Sequence, residues 1–145
     1  MGFRFALAAV LRVRESIEKH EEIRLESIQL EVARVRRAID ELAAQIEDKV
    51  KALQTEMQRS IPSELMQLTL SEIDTATARK QDLFNTLAAL QQKQKEQLKK
   101  YSAAHRARQI LSDMRAQKLT EYNQRQERTQ QKLLDDIFTA RRQHH

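Results

Sequence analysis

The chain has very few of the residues that make tight turns. It contains one Gly and one Pro in 145 residues, whereas globular proteins average about 7% and about 5%. It has no Cys, no Trp and only four Phe and two Tyr. The lack of Cys excludes disulfides, zinc ribbons and thiol nucleophiles, and a single Gly excludes a glycine-rich phosphate loop. These absences exclude most enzymes and predict a chain without tight β-hairpins or β-bulges.

Charged residues, by contrast, are abundant: they make up 32% of the chain, with 26 Lys and Arg against 21 Asp and Glu and a net charge of +5. Such a composition is typical of long helices and coiled coils. The two signs are interspersed, whereas nucleic-acid binding favours a basic block. The apolar N-terminal stretch is interrupted by Arg4, Arg12 and Arg14. We therefore expect neither a signal peptide nor a membrane span, but a soluble, cytoplasmic protein.

One break divides the sequence, at residues 59–63, where the only proline, Pro62, disfavours helix in the residue before it. Upstream of the break, apolar residues recur at steps of three and four, which is the pattern of a coiled-coil seam. Towards the N-terminus this stripe shifts to Val10, Val13 and Ile17. The main seam residues are Leu25, Ile28, Val32, Val35, Ile39, Leu42, Ile46, Val50, Leu53 and Met57.

A long helix with one apolar stripe must bury that stripe against another helix. The sequence therefore predicts an all-α fold, a two-helix antiparallel coiled-coil hairpin forming one domain over residues 1–145. We expect a first helix at 3–58, a turn with a possible short helix at 59–70, and a longer second helix at 71–142. Alternatively, Ser63 caps the second helix, which would then begin at residue 63. Phe3 then falls opposite residues 119–126, and the last twenty or so residues lack a partner in their own chain.

A two-helix hairpin has no concave site that excludes water, so we expect no catalytic residues, cofactor or metal. The candidate sites are surfaces. At the turn, the tip hydrophobes form either a capping cluster or a partner site; they are Leu65, Met66, Leu68 and Leu70. The apolar cluster from Leu133 to Phe138 either packs on another molecule or frays. The open end of the hairpin, opposite the turn, carries Arg4, Arg12 and Arg14. These arginines are either solvated or steer the chain towards an acidic partner.

The opening Phe3-Arg4-Phe5-x-Leu7-x-x-Val10-Leu11-x-x-Arg14-Glu15 resembles the start of the flagellar export protein FliJ family. Chain length, the break and the unequal helices are also similar. The resemblance implies a non-enzymatic stalk or adaptor of the flagellar type III export apparatus, in the cytoplasm and peripheral to the membrane at the flagellar base. The implied partners are the hexameric export ATPase, the membrane export-gate protein and export chaperones, with no specific nucleic acid.

The resemblance also implies two partner-binding sites. The ATPase ring would contact the open end, at Phe3, Arg4, Phe5, Arg12, Arg14, Leu133, Ile137 and Phe138. The export gate would contact the start of the second helix, at Thr69, Ile73, Ala76 and Lys80. The chain departs from the family at the first and last of these four positions, where the family can have a bulky hydrophobe and His.

Two other functions fit the residues alone. A coiled-coil tether or holdase chaperone would hold clients on the tip hydrophobes. A basic helix would dock on nucleic acid or an anionic membrane, although the interspersed acidic residues argue against this alternative. The thin seam also leaves room for a dimer.

Overall fold

The computed structural model describes residues 2–59 and 62–143, and within these ranges all regular structure is helical. Helix α1 spans Ala8–Gln58 and has 51 residues. Helix α2 spans Ser63–Gln143 and has 81 residues. The two helices pack against each other, and the predicted all-α fold with a longer second helix is confirmed.

Helix α1 begins five residues later than the predicted start at residue 3. A turn precedes it, in which the Ala8 amide donates to the Phe5 carbonyl at 3.1 Å. The first helical hydrogen bond runs from the Leu11 amide to the Leu7 carbonyl at 2.9 Å, so Leu7 is the N-cap. The N-terminal segment turns because Phe3 packs on the Tyr122 ring, with centroids 5.7 Å apart.

The predicted break falls between the helices. Helix α1 ends at Gln58, and the Arg59 amide is shared by the carbonyls of Thr55 and Glu56 at 3.2 Å. The Pro62 carbonyl accepts from the amides of Leu65 and Met66 at 3.1 and 3.3 Å. Pro62 therefore occupies the N-cap of α2, where its missing N–H removes no helical bond. The predicted turn residues Ser60 and Ile61 lie outside the described residues.

Helix α2 begins at Ser63 and not at residue 71, so residues 63–70 are its first two turns and not a separate short helix. No Gly or Pro occurs after Pro62 to interrupt it. The Thr69 hydroxyl does not cap a helix but donates to the Leu65 carbonyl at 3.1 Å within the continuous helix.

The chain divides into two compact units. Unit 1 comprises residues 1–21 and 101–145, and unit 2 comprises residues 22–100. Each unit contains a stretch of both helices running antiparallel, and each is described separately.

Unit 2 holds most of the buried side chains. Its seam includes the buried apolar residues Leu25, Val32, Ile39, Ala76 and Leu90, and two polar ones, Thr69 and Gln97. Towards the turn the seam differs from the prediction, because Val50 and Met57 are exposed. Their neighbours take these places: Lys49 pairs with Glu72 at 3.5 Å, and Glu56 accepts from the Thr69 hydroxyl at 3.5 Å.

The seam of unit 1 is thinner. Leu11 and Ala104 are its buried apolar residues among those the structure describes. The predicted shift of the seam to Val10, Val13 and Ile17 is wrong, since these side chains are 44%, 57% and 40% exposed. The seam instead continues through Glu18, whose carboxylate binds Arg108 on α2.

Candidate protein-binding surfaces

The net positive charge of the chain lies entirely in unit 1. This unit has 13 Lys and Arg against 8 Asp and Glu, a difference of +5. Unit 2 has 13 of each sign and is neutral. The interspersed signs conceal this division in the linear sequence. The net charge therefore attracts an acidic partner more strongly to unit 1 than to unit 2.

The N-terminal segment of unit 1 folds back on α2. The Phe3 ring lies 5.7 Å from the Tyr122 ring and 5.8 Å from the Arg115 guanidinium, within reach of a cation–π contact. This pairing confirms the prediction that Phe3 falls opposite residues 119–126. Phe3 and Phe5 are half-buried, and Arg4 between them is exposed.

Between this segment and α2 lies an open cavity of about 300 Å³. The side chains that line it are apolar or cationic: Phe3, Arg4, Phe5, Ala6, Leu7, Met114, Lys118, Tyr122 and Arg125. Four of these lining residues lie on α2 and were not among the candidates predicted from the sequence: Met114, Lys118, Tyr122 and Arg125. The predicted alignment of Phe3 with residues 119–126 contained the signal for Tyr122 and Arg125, because it places these two side chains beside the N-terminal segment, whereas Met114 and Lys118 lie outside that range.

The other predicted arginines, Arg12 and Arg14, are exposed on α1. Like Arg4, neither forms an ion pair with another residue that the structure describes. The three guanidinium groups are accessible to carboxylates of a partner.

Glu18 is the centre of a polar cluster in the seam. Arg108 Nε donates to Glu18 Oε2 at 2.7 Å, and His105 Nδ1 lies 3.6 Å from the same oxygen. The hydrogen bond to Glu18 raises the pKa of Arg108 above its usual range, and the charges of Glu18 and Glu15 act in the same direction against partial desolvation. A raised arginine pKa keeps the Arg108 guanidinium charged until strongly alkaline pH, and its contribution to the pair is lost as pH rises through that value.

We expect Arg108→Ala to lower the thermal midpoint of unfolding by roughly 3–6 °C, since it leaves the half-buried Glu18 carboxylate without its closest partner. Circular dichroism at 222 nm measures this. Arg106→Ala is the matched control: Arg106 is exposed, and among the residues that the structure describes its Nε donates only to the Ser102 carbonyl, at 3.3 Å. Equal midpoints for the two variants would contradict a stabilising role for the Glu18–Arg108 pair.

The end of α2 has no packing partner among the described residues. Every residue from 123 to 143 is exposed, as predicted for the surplus of the longer helix. Leu133, Ile137 and Phe138 are 60%, 45% and 68% exposed. At about 100° per residue they share one helix face with Leu134, and Asp135 and Asp136 flank that face on either side.

The start of α2 holds the residues that the resemblance assigns to the export gate, and they face the seam. Thr69 and Ala76 are buried, while Ile73 and Lys80 are half-buried. Lys80 Nζ lies 6.0 Å from the Phe84 ring. Only the outer flank of this set is accessible.

The tip hydrophobes do not form a closed cap. Leu65, Leu68 and Leu70 are 44%, 56% and 47% exposed, whereas Met66 is half-buried. The tip thus presents an apolar surface of its own.

In the described part of the chain, no helix is long and apolar enough to cross a membrane. No group of three or more His, Cys, Asp or Glu side chains there is arranged to hold a metal ion.

Two paired helices with apolar side chains left uncovered at the ends define a protein that acts by presenting surfaces to other proteins. A family model agrees with this class. The chain belongs to the family described as flagellar FliJ protein, whose model matches residues 3–145. It is therefore a component of flagellar export, in a family that is not catalytic. No curated protein and no solved structure matches the chain.

Proposed function

We propose that the chain is a stalk of the flagellar type III export apparatus and that unit 1 contacts the hexameric export ATPase. The observation that supports this most strongly is the coincidence, in unit 1, of the whole net charge of +5 with an exposed apolar face at Leu133, Ile137 and Phe138. Charge attracts an acidic partner over a distance, and desolvation of the apolar face holds it.

The proposed mechanism needs no catalytic group in the chain. A pair of different helices placed in a ring of identical subunits meets each subunit through a different set of side chains. It therefore stabilises some subunit conformations over others. Such coupling is typically worth about 1–3 kcal/mol.

The second proposed contact is the membrane export-gate protein, through the outer flank of Thr69, Ile73, Ala76 and Lys80. This position and the association with export chaperones rest on the family. The proposed location that goes with these contacts is the cytoplasm, peripheral to the membrane at the flagellar base.

We expect the variant with Arg4→Glu, Arg12→Glu and Arg14→Glu to need about tenfold more protein for half-maximal stimulation of the export ATPase. The reason is that these exposed cations lack ion-pair partners in the described chain and can meet acidic groups of the ring. Phosphate release by the purified ATPase at several chain concentrations measures the effect.

The matched control reverses Lys93, Lys99 and Lys100, three exposed cations of unit 2, and should leave stimulation unchanged. Unaltered stimulation by the arginine variant would contradict an open-end contact.

The exposed tip favours the holdase function as a second candidate. In that case Leu68→Ser with Leu70→Ser abolishes client capture, and the ATPase response survives.

A further inference from the structure

We propose that the cavity beneath the N-terminal segment binds one aromatic or branched aliphatic side chain projecting from an acidic helix of a partner protein. The inference rests on the proposed function in one respect: it assumes that unit 1 is the part of the chain that binds the partner. It adds the chemistry of the group that is bound and the place where it binds.

The cavity has the size and lining for a single apolar side chain. Its volume is about 300 Å³, at the lower end for ligand pockets. Phe3, Leu7, Met114 and Tyr122 supply apolar walls. Leu7 and Met114 remain 36% and 38% exposed, so an inserted side chain would remove further apolar surface from water.

The charges around the cavity select an acidic occupant. Its charged lining residues are Arg4, Lys118 and Arg125, with no carboxylate among them. Glu121 is shared by Lys118 at 3.6 Å and Arg125 at 3.7 Å. One carboxylate thus pairs with two cations, and Arg4 has no ion-pair partner in the described chain. Carboxylates beside the anchoring side chain would balance the excess positive charge.

The occupant cannot be the apolar end of the same α2 helix, where Asp135 and Asp136 flank the exposed apolar face. Leu133 follows Arg125 by eight residues on one uninterrupted helix, roughly 12 Å further along the axis. A continuous helix does not turn back on itself over that length. The occupant is therefore another molecule.

A protein helix fits this site better than a lipid surface. Membrane insertion uses apolar side chains that project outward, whereas Phe3 and Phe5 are half-buried and Phe3 packs on Tyr122. A concave site suits a convex side chain on a helix.

The test measures binding of the full chain to fluorescein-labelled helical peptides of about 16 residues. The first peptide combines Glu and Ala with one central Phe, the second replaces that Phe by Ala, and the third replaces Glu by Lys. We expect fluorescence anisotropy to show binding of the first peptide, about tenfold weaker binding of the second, and none of the third.

Two variants locate the binding. Ala6→Trp fills the cavity from an exposed position before α1, and Arg4→Glu reverses the charge of its unpaired cation. Each should weaken binding of the first peptide about tenfold. The controls are Ala103→Trp and Lys100→Glu, at exposed positions outside the cavity. Unchanged thermal unfolding of all four verifies the fold.

Equal binding of the Phe and Ala peptides, or binding unaffected by Ala6→Trp, would overturn the proposal. So would co-sedimentation with phosphatidylserine vesicles without peptide binding, which would assign the site to a membrane. The ATPase is absent from this assay. A chain that binds the peptide but does not stimulate the ATPase contradicts the proposed function alone, and the reverse result contradicts the cavity proposal alone.

Discussion

Val32→Asp is expected to destabilise the protein by about 3 kcal/mol or more. Val32 is 5% exposed, the lowest value in the apolar seam of unit 2. An aspartate there would either bury an unpaired carboxylate or separate the helices to hydrate it. The thermal midpoint should fall by roughly 6–12 °C. Circular dichroism at 222 nm, with urea titration as a second measure, reports the loss.

The control for this prediction is Val13→Asp, the same change on the same helix at a side chain that is 57% exposed. We expect its effect to stay within about 0.5 kcal/mol. Equal destabilisation by the two variants would show that the seam passes through Val13 and would contradict the packing described above.

Replacing Leu133, Ile137 and Phe138 together with serine is expected to reduce stimulation of the export ATPase close to the basal rate. If the proposed function holds, these side chains form the apolar part of the contact, and interface hot spots of this kind contribute about 2 kcal/mol or more each. Thermal unfolding should stay unchanged, because all three are exposed in the free chain.

The matched variant replaces Leu65, Leu68 and Leu70 with serine. It removes the same number of exposed apolar side chains, at the tip in unit 2, and should retain stimulation. Full stimulation by the C-terminal variant would exclude this helix face as the ATPase contact. Loss of stimulation in both variants would indicate that general apolar exposure, and not this site, matters.

The spacing of apolar residues was enough to predict the pairing of the helices. Leu25, Val32 and Ile39, seven residues apart, are the buried apolar residues of α1 in unit 2. Counting outward from Pro62 also placed Phe3 near Tyr122, as observed. Both predictions depend only on helix geometry, which is the same for every sequence.

The ends of the elements could not be predicted in this way. Helix α1 begins at Ala8 because the Phe3 ring packs on Tyr122, a tertiary contact that no local signal encodes. Near the turn, Lys49 and Glu56 replace Val50 and Met57 because each finds a polar partner on α2. Such choices depend on residues that are distant in the sequence.

The candidate sites show a related difficulty. Steps of three and four describe a seam within the chain and a surface for a partner equally well. Thr69, Ile73, Ala76 and Lys80 have that spacing, and only their burial reveals that they face α1. The cavity at Met114 and Tyr122 requires knowledge of which residues of α2 lie beside the N-terminal segment.

Polar contacts between the two helices of unit 2 also limit how these helices can align. A heptad pattern repeats, so slipping α2 by seven residues would still match apolar positions to one another. Thr69 and Gln97 are buried, and no buried side-chain nitrogen or oxygen in the described chain lacks a partner. A slipped hairpin would separate the Thr69 hydroxyl from Glu56 and the Lys49 ammonium from Glu72, two polar contacts that join the helices near the turn. These contacts favour one alignment among the several that the apolar pattern alone would tolerate.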